Sequence, residues 1–335
     1  MSDFVTWPSI EQYRTVVRAV QQHVQWAGKD ADGEPIFDRT VSMPTLKFLG
    51  TGKLHGTNAA VRLNADGSTE YQSRSNDITP LKDNAAFAFH MSQIDFTPIR
   101  AMFNFNETLI IFGEWCGGNI QKGVAISQLP KMFVIFGIMI DGVWVKNPQD
   151  YREVKLPESR IFNIYDYPTF EIEIDMTDPS HIQNHVIDLT VAVENECPVG
   201  KAFGVSGVGE GIVFRCITPG FESPKFTWKS KGEKHSASKV KVLASIDTEK
   251  VNSIKEFVAM VVTENRLNQG IDYLREQQLE VDVKNTGVFL KWLYGDVVKE
   301  ESDTIADSGL EPKEIGSAVA AAGRPWFFKK INGED

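Results

Sequence analysis

The spacing of apolar residues changes twice along this chain. Ile10, Tyr13, Val16, Val17, Val20 and Val24 fall near helical spacing, which predicts an amphipathic helix over 10–27. From about 45 to 145 the pattern becomes short β-prone runs, among them Ala59–Leu63, Thr108–Phe112, Met132–Ile140 and Val143–Val145. Gly, Asn and Asp punctuate these runs, so antiparallel strands with tight turns are expected. Asp178-Pro179 reads as an N-cap and first-turn proline, opening a helix that carries Ile182, Val186, Leu189 and Val193. Strands return at Gly211–Ile217 and Lys225–Lys229. Beyond about residue 246 the period is helical, with candidate helices at 248–266, 283–301 and 311–322. The fold class expected is α+β: an antiparallel-sheet domain over 1–245, then a small all-helical domain over 246–335.

Composition agrees with two globular domains. The chain has 335 residues, 42% hydrophobic and 24% charged, ordinary values for a soluble protein. The longest apolar stretch, Met132–Ile140, falls well short of the ~20 residues that cross a bilayer. The N-terminus has no basic region followed by an apolar one, so no secretory signal is read there and no membrane partner is expected. Three cysteines without a C-x-x-C spacing exclude a disulfide scaffold or a Cys-rich zinc module and point to a reducing, cytoplasmic setting. A net charge of −10 argues against general affinity for nucleic acid. Residues 225–241, however, hold six lysines against one glutamate, enough for a local polyanion site.

The segment with the most specific chemistry is Lys53-Leu54-His55-Gly56-Thr57-Asn58. It lies between a β-prone run and a strand, and its glycine allows a ligand close approach. Lysine attacks only as the neutral amine, a form present at roughly one part in a few thousand at pH 7 for an unperturbed side chain. A nucleophilic lysine therefore needs neighbouring cations or desolvation. Alone, the hexapeptide is equally well explained as a surface turn.

It does not stand alone. Lys53-x-His55-Gly56-Thr-Asn58 resembles the nucleophile motif of the RNA ligase 2 family, which includes phage and kinetoplastid editing ligases. That family belongs to the covalent nucleotidyltransferases, with DNA ligases and capping enzymes. Further elements resemble the family's motifs in order. They are Gln72-Ser-Arg74, Phe112-Gly-Glu114, Phe133-Val-Ile-Phe136, Glu210-Gly-Ile-Val-Phe-Arg215 and Lys229-Ser-Lys231. Thr263-Glu-Asn-Arg266 and Arg324-Pro-Trp326 resemble its helical C-terminal domain.

The resemblance implies an adenylyltransferase domain and an ATP-dependent ligase that joins RNA 3′-OH and 5′-phosphate ends, preferably at nicks in duplex RNA. Lys53 is the nucleophile it implies. Lys229 and Lys231 face the α-phosphate, Glu114 binds ribose, and Phe136 stacks on adenine. Glu210 helps hold Mg²⁺ or the reacting ends. Asn58, Arg74 and Arg215 position those ends, while His55 and Gly56 shape the nucleophile loop. The partners expected are ATP, Mg²⁺ and RNA with nicked or paired ends, acting on a monomer. Two positions depart from the pattern: Arg215 stands where the family often has lysine, and Gly52 where it often has a larger residue.

Alternatives are a DNA ligase or capping-type enzyme, which normally carries a barrel rather than helices after the catalytic domain, and a catalytically silent RNA-binding protein. His181 and His185 have i, i+4 spacing but no evident third metal ligand. The glycine-rich run 204–211 matches no phosphate-loop pattern. Cys116 reads as packing.

Overall fold

The computed structural model describes residues 4–236 and 254–333. By chain contacts it forms two compact units, Met1–Gly232 and Glu233–Asp335. The boundary expected at 245/246 lies outside the described residues.

The first unit runs α1 (Tyr13–Gln25), β1 (Trp26–Lys29), β2 (Pro35–Phe37), β3 (Thr45–Lys53), β4 (Gly56–Asn64), β5 (Thr69–Ser73), β6 (Asp77–Ile78), α2 (Phe87–Met91), α3 (Thr97–Arg100) and β7 (Thr108–Cys116). It continues through β8 (Met132–Ile140), β9 (Val143–Trp144), β10 (Ile161–Asn163), β11 (Thr169–Asp175), α4 (Gln183–Asn195), α5 (Pro198–Ala202), β12 (Gly211–Cys216) and β13 (Thr227–Lys231). Two sheets dominate. One has the order β11-β3-β12-β13 and is antiparallel throughout. The other has the order β10-β8-β7-β4-β5-β6, with β9 beside β8, and only its β10–β8 pair is parallel. The antiparallel α+β reading therefore holds.

In the four-stranded sheet, alternate side chains on one face bury Phe48, Phe214 and Trp228. Phe214 stacks on Trp228 at 4.3 Å, and Tyr13 of α1 meets Trp228 at 4.6 Å. The seven-stranded sheet buries Val61, Leu63, Leu109, Ile111 and Ile135 on one face. Its other face carries a smaller cluster of Ala60, Ile110, Phe112 and Met139.

Three local expectations change. The helix placed after Asp178-Pro179 begins at Gln183 instead. The residues before it are committed to side-chain turns, in which Thr177 bonds to Asp175 and Ser180 to Asp178. His181 is therefore outside the helix, paired with Asp178. The hairpin β1–β2 and strand β11 are additions to the elements read from the sequence.

The second unit holds α6 (Ile254–Val261), α7 (Glu264–Glu276), α8 (Thr286–Glu300), α9 (Ser302–Asp307) and α10 (Pro312–Asn332). The helix expected over 248–266 starts outside the described residues and is interrupted at Thr263, whose side chain caps α7 by accepting from the Arg266 N–H. Arg266 is fully buried, bonding Asp296 at 2.9 Å, Glu301 at 3.0 Å and the Val261 carbonyl. The unit has its own apolar core, with Phe257, Leu274, Phe289, Leu293 and Phe327.

Candidate active site

Register assembles the charged cluster. β3 is flanked by β11 and β12, and its last residue, Lys53, lies opposite Gly211 of β12. On the other side of Gly211, β13 places Lys231. Two lysines distant in sequence thus flank the first residue of β12, and Glu210 immediately precedes it. A Cβ on Gly211 would stand 2.1 Å from the Ser230 carbonyl oxygen, and its φ is +150°, so only glycine permits this approach.

Glu210 is 2% exposed, and its Oε1 lies 2.7 Å from Lys53 Nζ and 3.0 Å from Lys231 Nζ. His55 Nδ1 stands 3.5 Å from Oε2. Burial alone would raise the Glu210 pKa. The charges of Lys53 and Lys231, with His55 nearby, outweigh it and hold the carboxyl well below its ordinary range. Oε2 is buried and no hydrogen bond satisfies it among the described residues. That oxygen fits one ligand position of a hard cation. Mg²⁺ typically takes one or two carboxylates and completes its shell from phosphates and water. No cluster of three or more His, Cys, Asp or Glu side chains suited to a metal exists among the described residues, so a cation here would depend on a phosphate ligand for the rest of its shell.

Beside this cluster, between the two sheets, is a cavity of about 80 Å³. Lys53, Val213 and Arg215 line it from the four-stranded sheet, and Glu114, Val134 and Phe136 from the seven-stranded one. Phe136 reaches it through a β-bulge. Phe112 pairs with Gly137 but Gly113 pairs with Ile135, leaving Phe136 as the extra residue. A bulge re-aims the side chain at its extra position. Gly113 is required opposite it, since a Cβ there would meet the Phe133 ring at 2.5 Å and the Val134 oxygen at 2.7 Å.

Glu114 Oε1 accepts a hydrogen bond from the Gly56 N–H at 3.0 Å, tying the β7 carboxylate to the loop after Lys53. A Cβ on Gly56 would lie 2.3 Å from the Trp115 oxygen, which explains glycine there. Asn58 lies directly across from Glu114 in the β4–β7 register and is half-buried. Arg74 follows Ser73, the β5 residue opposite Ala59, and is exposed without an ion pair among the described residues. Lys229 is half-buried opposite Val213. Lys239 and Lys241 of the basic stripe lie outside the described residues.

Arg215 stands apart from the cluster. Its strand partner is Leu49, four positions from the Lys53–Gly211 pair, or about 13 Å at ~3.3 Å per residue. It is 6% exposed and donates to Tyr151 Oη at 2.7 Å and the Val145 oxygen at 3.0 Å. Tyr151 Oη in turn donates to the Phe136 carbonyl at 3.0 Å, so Arg215 braces the bulge through Tyr151. Burial pushes the Tyr151 phenol up, keeping it a donor. Tyr151 was not legible in the sequence, where it sits in a polar stretch without a recognisable motif. Gly52 leaves room where a Cβ would meet Pro198 Cγ at 3.3 Å.

The family model described as RNA ligase matches residues 46–231, more than half of the chain. No curated protein sequence matches. Among solved structures, the chain is similar to Naegleria gruberi RNA ligase with PPi, at 15% identity and a TM-score of 0.43, covering 69% of this chain and 58% of that one. A single-residue variant of the same ligase with ATP and Mn gives 14% identity and a TM-score of 0.44, covering 70% and 58%. These matches span less than two thirds of the Naegleria chain.

Proposed function

This chain belongs to the RNA ligase family, and from that premise we propose that it is an ATP-dependent RNA ligase working through a covalent adenylate on Lys53. The observation that carries this reading is the Lys53–Glu210–Lys231 cluster at the edge of an aromatic-lined cavity. The order of the motifs from Lys53 to Lys231 supports it.

In the first step Lys53 Nζ attacks the α-phosphorus of ATP, a P–N bond forms, and pyrophosphate leaves. The attacking nitrogen must be a free amine, so Lys53 has to give up its contact with Glu210 as the nucleotide enters. Lys231 and Lys229 lie on β13, one strand beyond β12, and stabilise the negative charge that develops on the phosphate oxygens. Glu114 and Phe136 hold ribose and base, fixing the α-phosphate in line with Lys53. Glu210 would help hold Mg²⁺, which would supply neutralisation of phosphate charge. In the second step the 5′-phosphate of one RNA strand displaces Lys53 from AMP. In the third, a 3′-OH attacks that activated phosphate, AMP leaves, and a phosphodiester forms. Asn58 and Arg74, near the nucleophile loop, position the RNA ends. The preferred substrate is a nick in duplex RNA, and the helical unit contributes to holding it.

The test uses purified full chain, α-labelled ATP and Mg²⁺, followed by denaturation. Label is expected on the wild-type protein and absent from Lys53→Ala. Folded wild-type protein stripped of bound AMP that takes no label would overturn the reading. The all-helical second unit, among the described residues, argues against a DNA ligase or capping enzyme, and labelled GTP in place of ATP separates the capping case.

A further inference from the structure

Residues 5–11 run from one sheet to the other beside the cavity. At one end the Val5 carbonyl accepts from Nε2 of Gln72, a buried β5 side chain in the seven-stranded sheet. At the other, Glu11 lies parallel to Trp228 of β13, its N–H bonding the Thr227 carbonyl and its carbonyl accepting from the Lys229 N–H. Both anchors use main-chain groups of the strap. Between them, Trp7 and Ile10 line the same cavity as Lys53, Glu114 and Phe136.

Trp7 is fitted to the bulge. Its ring meets Phe136 edge-on at 4.9 Å and 63°, Trp144 at 4.9 Å and Phe112 at 5.4 Å. The bulge brings Gly137 beside Phe136, and a Cβ on Gly137 would stand 2.2 Å from the Trp7 ring. The absent side chain at 137 is the space Trp7 occupies. Edge-to-face contact holds the orientation of both rings. The Phe136 ring is thus fixed from its backbone by the Tyr151 hydrogen bond and from its side by Trp7.

We infer that Trp7 is a base-binding residue: as a wall of the cavity it contacts the nucleobase that Phe136 holds, and the strap of residues 5–11 exists to carry it there. The inference rests on the nucleotide reading above. A base is a flat apolar surface with polar edges, and two aromatic side chains at an angle enclose a face and an edge of it. Trp7 carries no charge to offer a triphosphate, whose cationic partners are Lys53 and Lys231 beside Glu210.

The experiment measures AMP and inorganic pyrophosphate binding to the full chain by calorimetry, and the ATP dependence of protein labelling, for wild type, Trp7→Ala, Trp7→Phe and Gly137→Ala. Trp7→Ala is expected to weaken AMP binding about tenfold, ~1.4 kcal/mol. The KM for ATP should rise to match, with the saturated labelling rate and pyrophosphate binding unchanged. Gly137→Ala, which displaces the indole without removing it, is expected to do the same, and Trp7→Phe to retain most of the affinity. If Trp7→Ala does not fold, Trp7→Leu replaces it with the same expected loss.

Unchanged AMP affinity in a folded Trp7 variant overturns the inference, as does an equal loss of pyrophosphate binding. These outcomes leave the ligase reading intact if the wild type takes label. A wild type that binds AMP, responds to Trp7→Ala, and takes no label supports the base contact while the ligase reading fails. A wild type that binds no AMP overturns both.

Discussion

Glu210 is a buried carboxylate between two ammonium groups, and its removal leaves those groups facing each other. Glu210→Gln is expected to cost about 3 kcal/mol, the lower end for breaking a buried pair, because Lys53 and Lys231 keep some contact with water. The sign of the pH dependence follows from the lowered pKa. Glu210 contributes its full stability above the unfolded value of 4.5, and that contribution is lost as pH falls through the lower folded value. The gap in melting temperature between wild type and Glu210→Gln should be widest near neutral pH and begin to close as pH falls below about 4.5, measured by thermal melts in buffers from pH 3 to 7. At this scale Lys53, Glu210 and Lys231 were legible, because motif order named them and the structure places both lysines within 3.0 Å of the Glu210 carboxylate. Arg215 was legible as a cation but not as a brace. Its partner Tyr151 lies 64 positions away in sequence, and no local pattern links them.

At the level of elements, the run Met132–Ile140 is one strand from end to end, as its β-prone composition indicated. What the composition hides is the bulge inside it, since a continuous apolar run reads the same with or without an extra residue. The bulge depends on Gly113 across the ladder. Gly113→Ala should destabilise the protein by about 1–3 kcal/mol, the usual cost of overpacking, and raise the KM for ATP by shifting Phe136. Chemical denaturation and labelling kinetics check both effects. A melt and KM equal to wild type would show that the bulge does not depend on this glycine. Helix onset after residue 178 was misread because Asp-Pro is a cap signal only if the next residues are free to turn helical. Here Asp175 and Asp178 hold Thr177 and Ser180 in side-chain turns. The β1–β2 hairpin escaped because its strands are short and largely exposed, so burial imposes no alternation on them.

At the scale of the whole molecule, the described residues fall into two units with separate apolar cores, the first built on two sheets and the second of helices. Every residue of the proposed adenylation chemistry lies in the first unit. A chain ending at residue 246 is therefore expected to keep Lys53 labelling with ATP and lose most joining of nicked duplex RNA, assayed in parallel on gels. Undiminished joining would show that the helical unit does not serve RNA. Among the described residues no helix is long and apolar enough to cross a membrane.

The position of β3 at the centre of its sheet also orders events on the ribosome. Its neighbours are β11 and β12, not the strand that follows it, so Lys53 emerges early and waits unpaired. The β4–β7–β8 ladder is complete by Ile140, and contacts between strands that distant are intrinsically slow to close. Glu210 and Lys231 then arrive together, at the end of the first unit. A nascent chain consequently has no assembled Lys53–Glu210–Lys231 cluster until nearly all of that unit has been synthesised, and on the mechanism proposed above an incomplete product is expected to consume no nucleotide.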